Sequence, residues 1–419
     1  MSIGQHAPQK IDNAAGGAAK EPTPPGPPAA DTLEAILPPT TSETQPTNPS
    51  STRFDGDPAL LADATTYVQA IMDPEDTTFD RLACPRLNSA RYEYLKSNST
   101  NPSYFFALDF RQKVDLLPRL MGSVVETIQF LGTEKCVLSI VEGHSTDGSF
   151  EVLKVLEPEL EAVGVRYHFV RSDIDPSAGD RIGALAELRN LALKPLITSP
   201  RFFDPDTTVI FLNDVAICPE DLLELTRQKR ALGADMTCGM DWTYVGRDPT
   251  FYDVWVARTI TGDSFFEIPP DGNWNSAWNL FWNAPANREA LQQHKPFQVF
   301  SCWNGAAVFS AKPLWEDGIR FRKSREGECF QGEPQLFCKD LWYSGHGKVA
   351  VVPTVNLEYD DEHARKIKGL KGYASQWTRT DGEAGIEWVE SPPKKVKCMA
   401  SYGNQEWRPW DEVLPGVEK

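Results

Sequence analysis

The sequence predicts an α/β fold in which a mostly parallel sheet is flanked by helices and followed by an irregular second half. Three observations carry this. Between 104 and 232, short apolar runs alternate with longer stretches of helical periodicity, the pattern of βαβ units. The run 209–212 is wholly apolar, as a strand covered on both faces must be, and polar Asn213-Asp214 follow it before Pro219 opens the next helix. Beyond Met240 the regular pattern lapses into sequence rich in Trp, Gly and Asn.

Taken in order, residues 1–53 read as a disordered tail. Ten of the 33 prolines fall within the first 50 residues and no aromatic precedes Phe54, so the segment cannot bury enough to fold. Residues 54–100 read as a helical N-terminal extension packed on the core. Asp57 caps a helix with Pro58 at its first position, and Asp73-Pro74 ends it. Leu60, Leu61, Ala64, Tyr67, Val68, Ile71 and Met72 repeat at helical spacing, so one face is buried. Strands are then expected over 104–108, 136–141, 165–170 and 209–212. Helices are expected over 114–130, 150–163, 181–193 and 220–232.

A chain of 419 residues with 41% apolar content can bury an ample core. Its net charge of −17 argues against a nucleic-acid partner, because phosphate backbones demand basic patches. No apolar stretch reaches the ~18 residues that span a bilayer, and the N-terminus lacks the basic and apolar regions of a signal peptide. The chain as given is therefore expected to be soluble, with no membrane segment. Eight cysteines without Cys-x-x-Cys spacing exclude a standard zinc site and permit disulfides. Asn98-Ser99-Thr100 is a glycosylation sequon, usable only in the secretory pathway.

Seven segments hold candidate chemistry. Asn213 and Asp214 stand where ligands bind in open α/β sheets, beyond the strand C-termini. Asp214 either holds a divalent cation through oxygen or caps the following helix. The segment 142–149, from Glu142 through Asp147, is either a ligand-cradling turn at a helix N-terminus or an ordinary capped turn. Asp147 would there read a nucleobase edge or a ribose hydroxyl. Arg181 and Arg189, eight residues apart on one expected helix, either neutralise a pyrophosphate or line a solvated face. In Trp303-Asn304-Gly305, Gly305 lets backbone approach a ligand, or the run is a bend in the core. Trp274, Trp278 and Trp282 recur every four residues, which on a helix makes an aromatic stripe for sugar stacking or for core packing. Glu333 either orients an acceptor hydroxyl as a base or serves the dipole of its helix. His363, after a run of acidic residues, is a surface histidine or a distant metal ligand.

Together these segments resemble the fungal capsule-type α-1,3-mannosyltransferases of glycosyltransferase family 69, over about residues 60–373. The resemblance rests on Ala83-Cys84-Pro85, 104–109, 141–149, 211–215, the run Phe251-Tyr252-Asp253-Val254-Trp255-Val256-Ala257-Arg258, 300–307 and 337–342. It implies a GT-A, Rossmann-like fold with a nucleotide-sugar-binding half over 101–240 and an acceptor-binding half with a C-terminal tail over 241–419. It implies a GDP-mannose donor, a glycan acceptor, retention of configuration, and residence in the Golgi lumen or secretory pathway. It also implies Mn²⁺ or Mg²⁺ bound by Asp214 and His363. Leu212 stands where the metal-binding Asp-x-Asp of GT-A enzymes has its first Asp. Glu142, Asp147, Arg181, Arg189, Asn213 and Arg258 are then expected to bind the donor. Trp303, Asn304, Gly305 and Trp278 are expected to bind the acceptor, with Glu333 and Asp214 catalytic. The missing first Asp also admits a non-catalytic glycan-binding protein on a degenerate transferase scaffold. A nucleotide-sugar hydrolase or pyrophosphorylase ranks behind both, since 104–113 lacks the glycines such enzymes carry.

Overall fold

The computed structural model describes residues 56–377 and 385–414. The proline-rich tail expected over 1–53 lies outside them. The chain opens with α1 (Pro58–Met72) and α2 (Ser89–Tyr92). The parallel half follows: β1 (Tyr104–Phe110), α3 (Leu117–Leu131), β2 (Cys136–Glu142), α4 (Ser149–Ala162), β3 (Arg166–Arg171), α5 (Arg181–Thr198), β4 (Thr208–Leu212) and α6 (Pro219–Ala231). Then come β5 (Met236–Val245), β6 (Asp248–Phe251), β7 (Arg258–Thr259), α7 (Pro285–Gln292), β8 (Phe297–Ser301), β9 (Ala306–Ser310) and α8 (Lys312–Glu316). The last elements are α9 (Glu333–Tyr343), β10 (Val349–Leu357), α10 (Asp361–Lys371), α11 (Ala374–Trp377), β11 (Lys395–Ser401) and β12 (Asn404–Pro409).

The expected strands and helices of the first half are all present. Asp57 caps α1 as its side chain accepts from the Ala59 amide at 2.8 Å, and Ala64, Val68 and Ile71 form the buried face. The central sheet runs β3-β2-β1-β4-β9-β5-β10-β8-β7, with β6 paired to β5. Strands β3, β2, β1 and β4 are mutually parallel, whereas β9 is antiparallel to both neighbours. The sheet is thus mixed, and its parallel half lies where periodicity was clearest. Side chains of β1 alternate between two cores: Tyr104, Phe106 and Leu108 face one, Phe105 and Ala107 the other. Covering both faces with helices explains why the central strands β1, β2 and β4 are largely apolar, while the edge strand β3 alternates. Strand β1 pairs with β2 on one side and with β4 on the other, so the chain reverses its winding there. That switch point opens a crevice at the strands' C-terminal ends.

The second half departs from expectation in two places. Residues 274–283 form a chain of turns, not a helix, so the three tryptophans make no stripe. Gly272 at φ +74°, held against Tyr402, begins this irregular stretch. Near the C-terminus β11 and β12 form an antiparallel hairpin, not a tail. Three disulfides join distant elements: Cys84–Cys218, Cys238–Cys302 and Cys329–Cys398. Cys136 and Cys338 are free and buried. No helix among the described residues is long and apolar enough to cross a membrane.

Cys84–Cys218 fastens the segment after α1 to the start of α6 across 134 residues of sequence. Closing so long a loop restricts the unfolded chain. The double variant Cys84→Ala/Cys218→Ala is therefore expected to lose about 2–4 kcal/mol of unfolding free energy in urea titration.

Candidate active site

The crevice is organised around Arg189, on the buried face of α5. Its Nε donates to Glu333 Oε1 at 2.8 Å, and Nη1 donates to Asn213 Oδ1 at 3.4 Å. Nη1 also lies 3.6 Å from Asp109 Oδ1 at the end of β1. The guanidinium sits 4.6 Å from the ring centre of Trp303, with Phe211 and Phe321 also facing it. Trp303 Nε1 completes the arrangement by donating to Asn213 Oδ1 at 2.9 Å. Burial lowers the pKa of Arg189, but Asp109 and Glu333 more than offset it and the net direction is upward. Burial pushes the Asp109 carboxyl up to about 7, and Arg189 only partly opposes it. Its Oδ1 has no hydrogen-bond partner among the described residues.

A second set of carboxylates lies beside the first. Asp253 Oδ2 accepts from the Asn304 amide at 3.0 Å. Asp241 Oδ1 accepts from the Asp253 amide at 3.3 Å, and the Tyr359 hydroxyl donates to Asp241 Oδ2 at 2.6 Å. Burial pushes Asp253 up to about 6. Burial and the charge of Asp253 also raise Asp241 well above the carboxylate range. Asn304 at φ 53° and Gly305 at φ +81° make the tight bend that delivers the amide to Asp253. A Cβ at Gly305 would stand 3.0 Å from Val215 Cγ1, so the bend needs glycine for space as well as conformation.

Asp214 lies on the rim, where its Oδ2 meets Lys113 Nζ at 2.8 Å. Both side chains are partly exposed. Arg181 is exposed at the first position of α5. These three charges are open to a ligand.

Other expected residues are occupied within the protein. Glu142 is fully buried and its Oε1 accepts from the Ser145 amide. Asp147 accepts from the amides of Ser149 and Val114 at 3.0 and 2.9 Å, so it closes the turn into α4. Arg258, expected to touch the donor, is fully buried and donates to the carbonyls of Lys397, Val254 and Ala257. Trp303, Asn304 and Gly305, expected at the acceptor, are buried and form the floor that holds Asn213 and Asp253. Glu333, expected as catalytic, is 3% exposed and its Oε1 accepts from Arg189, so it orients the guanidinium. Trp278 stands 83% exposed among the turns.

His363 belongs to a cluster with Glu358 and Asp360, whose ligating atoms all lie within 4.8 Å of one another. Two carboxylates and an imidazole form a donor set that suits Mn²⁺ or a similar divalent ion. The amide of Ala216 donates to the Glu358 carbonyl at 2.8 Å and ties the Asp214 loop to this cluster. His363 Nδ1 also lies 2.6 Å from Asp360 Oδ2, and that carboxylate raises the histidine pKa.

Asp109, Lys113, Asp241, Asp253, Glu358 and Tyr359 were not singled out from the sequence. One signal was available for Asp109. It ends an apolar strand just as Asp214 follows one, and the same rule about strand C-termini applies to both.

Comparison with known proteins gives a consistent picture. The family model described as cryptococcal mannosyltransferase 1 matches residues 103–340. The α-1,3-mannosyltransferase CMT1 of Cryptococcus neoformans is 38% identical over 343 residues, covering 77% of this chain and 71% of that protein. Among solved structures, TarS of S. aureus aligns with a TM-score of 0.36 and 14% identity, over 64% of each chain. The mannosyltransferase PcManGT of Pyrobaculum calidifontis, in complex with GDP-Man and Mn²⁺, aligns with a TM-score of 0.36 and 11% identity, over 74% of this chain and 70% of that one. Both superpositions are too loose to bear on donor or metal.

Asp109 ionises near its ordinary 3.8 when unfolded but holds its proton to about 7 when folded. The folded state thus binds the extra proton between these values, and this contribution to stability is lost as pH rises through about 7. In the variant Asp109→Asn, unfolding free energy measured between those pH values should fall less steeply with pH than in the wild type.

Proposed function

The chain belongs to the cryptococcal mannosyltransferase family and is a mannosyltransferase, and we propose that it moves mannose, with retention, from GDP-mannose to a hydroxyl of a glycan acceptor. The observation that carries this reading is the placement of Asp214. It stands beyond β4 at the switch point of the sheet, with Lys113 at 2.8 Å and its loop tied to the Glu358–Asp360–His363 cluster. A diphosphate in this crevice meets two cationic side chains, Lys113 and Arg181, within an otherwise acidic chain.

Glu358, Asp360 and His363 would hold a divalent cation; Asp214, expected as a ligand, is outside that cluster and its loop is joined to it through the Ala216–Glu358 backbone bond. Such an ion supplies Lewis-acid stabilisation of charge on a diphosphate. The protein's own groups do the rest. Lys113 leaves Asp214 for the diphosphate when the donor enters, and Arg181 adds charge from the start of α5. Arg189 does not reach the donor directly. It holds Asn213, and hence the Asp214 turn, in place. The bond between the anomeric carbon and the diphosphate oxygen breaks, and the acceptor oxygen bonds to the same face. The hydroxyl proton departs with the diphosphate. An α-linked donor thus yields an α-linked product.

The three disulfides support an oxidising compartment, since such bonds rarely persist in a reducing cytosol. Asn98 of the single sequon is exposed, which suits passage through the secretory pathway.

Two measurements test this reading. Calorimetry should show GDP-mannose binding with Mn²⁺ that weakens at least tenfold in EDTA, with UDP-glucose not bound. Asp214→Ala should lose transfer by a factor of about 10² or more while keeping the wild-type melting temperature. Wild-type turnover in that variant, or no guanosine-nucleotide binding by the native protein, removes the assignment. In protein secreted from a eukaryotic host, endoglycosidase treatment should produce a mobility shift that Asn98→Gln abolishes. Absence of the shift would count against the secretory route.

A further inference from the structure

We propose that the exposed ring of Tyr252, together with Trp255 on the same loop, is the platform on which a sugar ring of the glycan acceptor stacks. This rests on the mannosyltransferase reading and adds the acceptor side of the site to it.

The loop has an unusual division of labour. Its middle is pinned from within. The Tyr252 amide donates to the Asp241 carbonyl at 3.1 Å, and the buried Asp253 carboxylate accepts from Asn304. The aromatic residues flanking that anchor point outward, with Tyr252 47% and Trp255 38% exposed. A large aromatic left in water forgoes the stabilisation that burial would bring. Two of them on one rigidly anchored loop are therefore more informative than scattered surface residues.

Both rings are held from behind. Tyr252 packs edge-on to Tyr359 at 4.9 Å between centroids, and Trp255 lies 4.7 Å from Tyr402 at a tilt of 33°. A ligand stacking on rings already fixed in this way has little side-chain entropy to remove.

The platform also borders the donor charges. Burial raises the pKa of the Tyr252 phenol. Asp241, Asp253 and Asp214 raise it further, and Arg181 opposes them. Tyr252 also packs on Tyr359, which lies in sequence between Glu358 and Asp360 of the proposed cation cluster, so the ring borders the donor side of the crevice. An apolar face beside carboxylates fits the amphipathic character of a pyranose, whose C–H face stacks on an aromatic while its hydroxyls donate to oxygen. Trp278, more exposed still, stands in the turn segment without such neighbours in its described contacts.

The test compares wild type, Tyr252→Ala, Tyr252→Phe and Trp255→Ala. Transfer from GDP-mannose is assayed to a panel of gluco-, galacto-, xylo- and manno-disaccharides, with GDP-mannose affinity measured separately by calorimetry. Tyr252→Ala should raise the acceptor KM about threefold to tenfold. Its affinity for GDP-mannose should not change, and Tyr252→Phe should behave as wild type. Trp255→Ala should show a similar or smaller rise. An unchanged acceptor KM, or a matching loss of donor affinity, overturns the platform. A wild type that binds GDP-mannose but uses none of the panel also overturns it. A wild type that does not bind GDP-mannose overturns instead the function on which the platform rests.

Discussion

The guanidinium of Arg189 is where the separate parts of this site meet. It joins α5 to Glu333 at the start of α9, to Asn213 beyond β4, and to the side of Asp109 at the end of β1. A cation so deeply buried is tolerated because carboxylates and aromatic faces surround it. Removing one partner of such a pair typically costs about 3–5 kcal/mol, because the remaining charge is left without compensation. The position of Asn213 thus depends on contacts that span most of the sequence. Asp214 follows Asn213 directly, so its direction depends on them too.

The same crevice must admit an anionic diphosphate although five acidic side chains lie in or beside it. Each is neutralised differently. Glu333 is paired with Arg189, and Asp214 with Lys113. Asp109 is pushed up to about 7 by burial, so it carries its proton over much of the acidic range. Asp241 and Asp253 share hydrogen bonds with Tyr359 and the Asn304 amide, and burial raises both. What remains open on the rim is the Lys113–Asp214 pair and the cation Arg181, a net positive charge. Burial and pairing therefore make a locally receptive site within a chain of net charge −17.

Several residues expected at a ligand have internal partners instead, for one shared reason. Asp147 serves as a turn closure, Arg258 as a brace for backbone carbonyls, and Trp303-Asn304-Gly305 as a floor. In each case the residue type suits a ligand and an internal partner equally well. Only the fold decides which is within reach. Glu333 is the clearest example, since its apparent freedom at a helix start disappears once Arg189 is seen 2.8 Å away. The tryptophans at 274, 278 and 282 are a different case. Their spacing would align them only on a helix, and the segment folds as turns.

What the sequence determined by itself was local. Apolar period and capping chemistry placed α1 and the elements from β1 to α6, with ends that differ by up to five residues at α5, because each depends on neighbours within a few positions. Strand polarity and the position of Asn213-Asp214 beyond β4 followed from the same local signals. The tertiary structure alone decided the order of strands in the sheet, the antiparallel insertion of β9 between β4 and β5, and the pairing of six cysteines. It also decided that Asp109, Arg189, Asn213 and Glu333 share one cluster, and that the locally formed Glu358–Asp360–His363 group lies against the Asp214 loop. These arrangements are set by contacts between residues up to 144 positions apart, as between Arg189 and Glu333. Such contacts form only when both cores close around the sheet, and no periodicity along the chain encodes them.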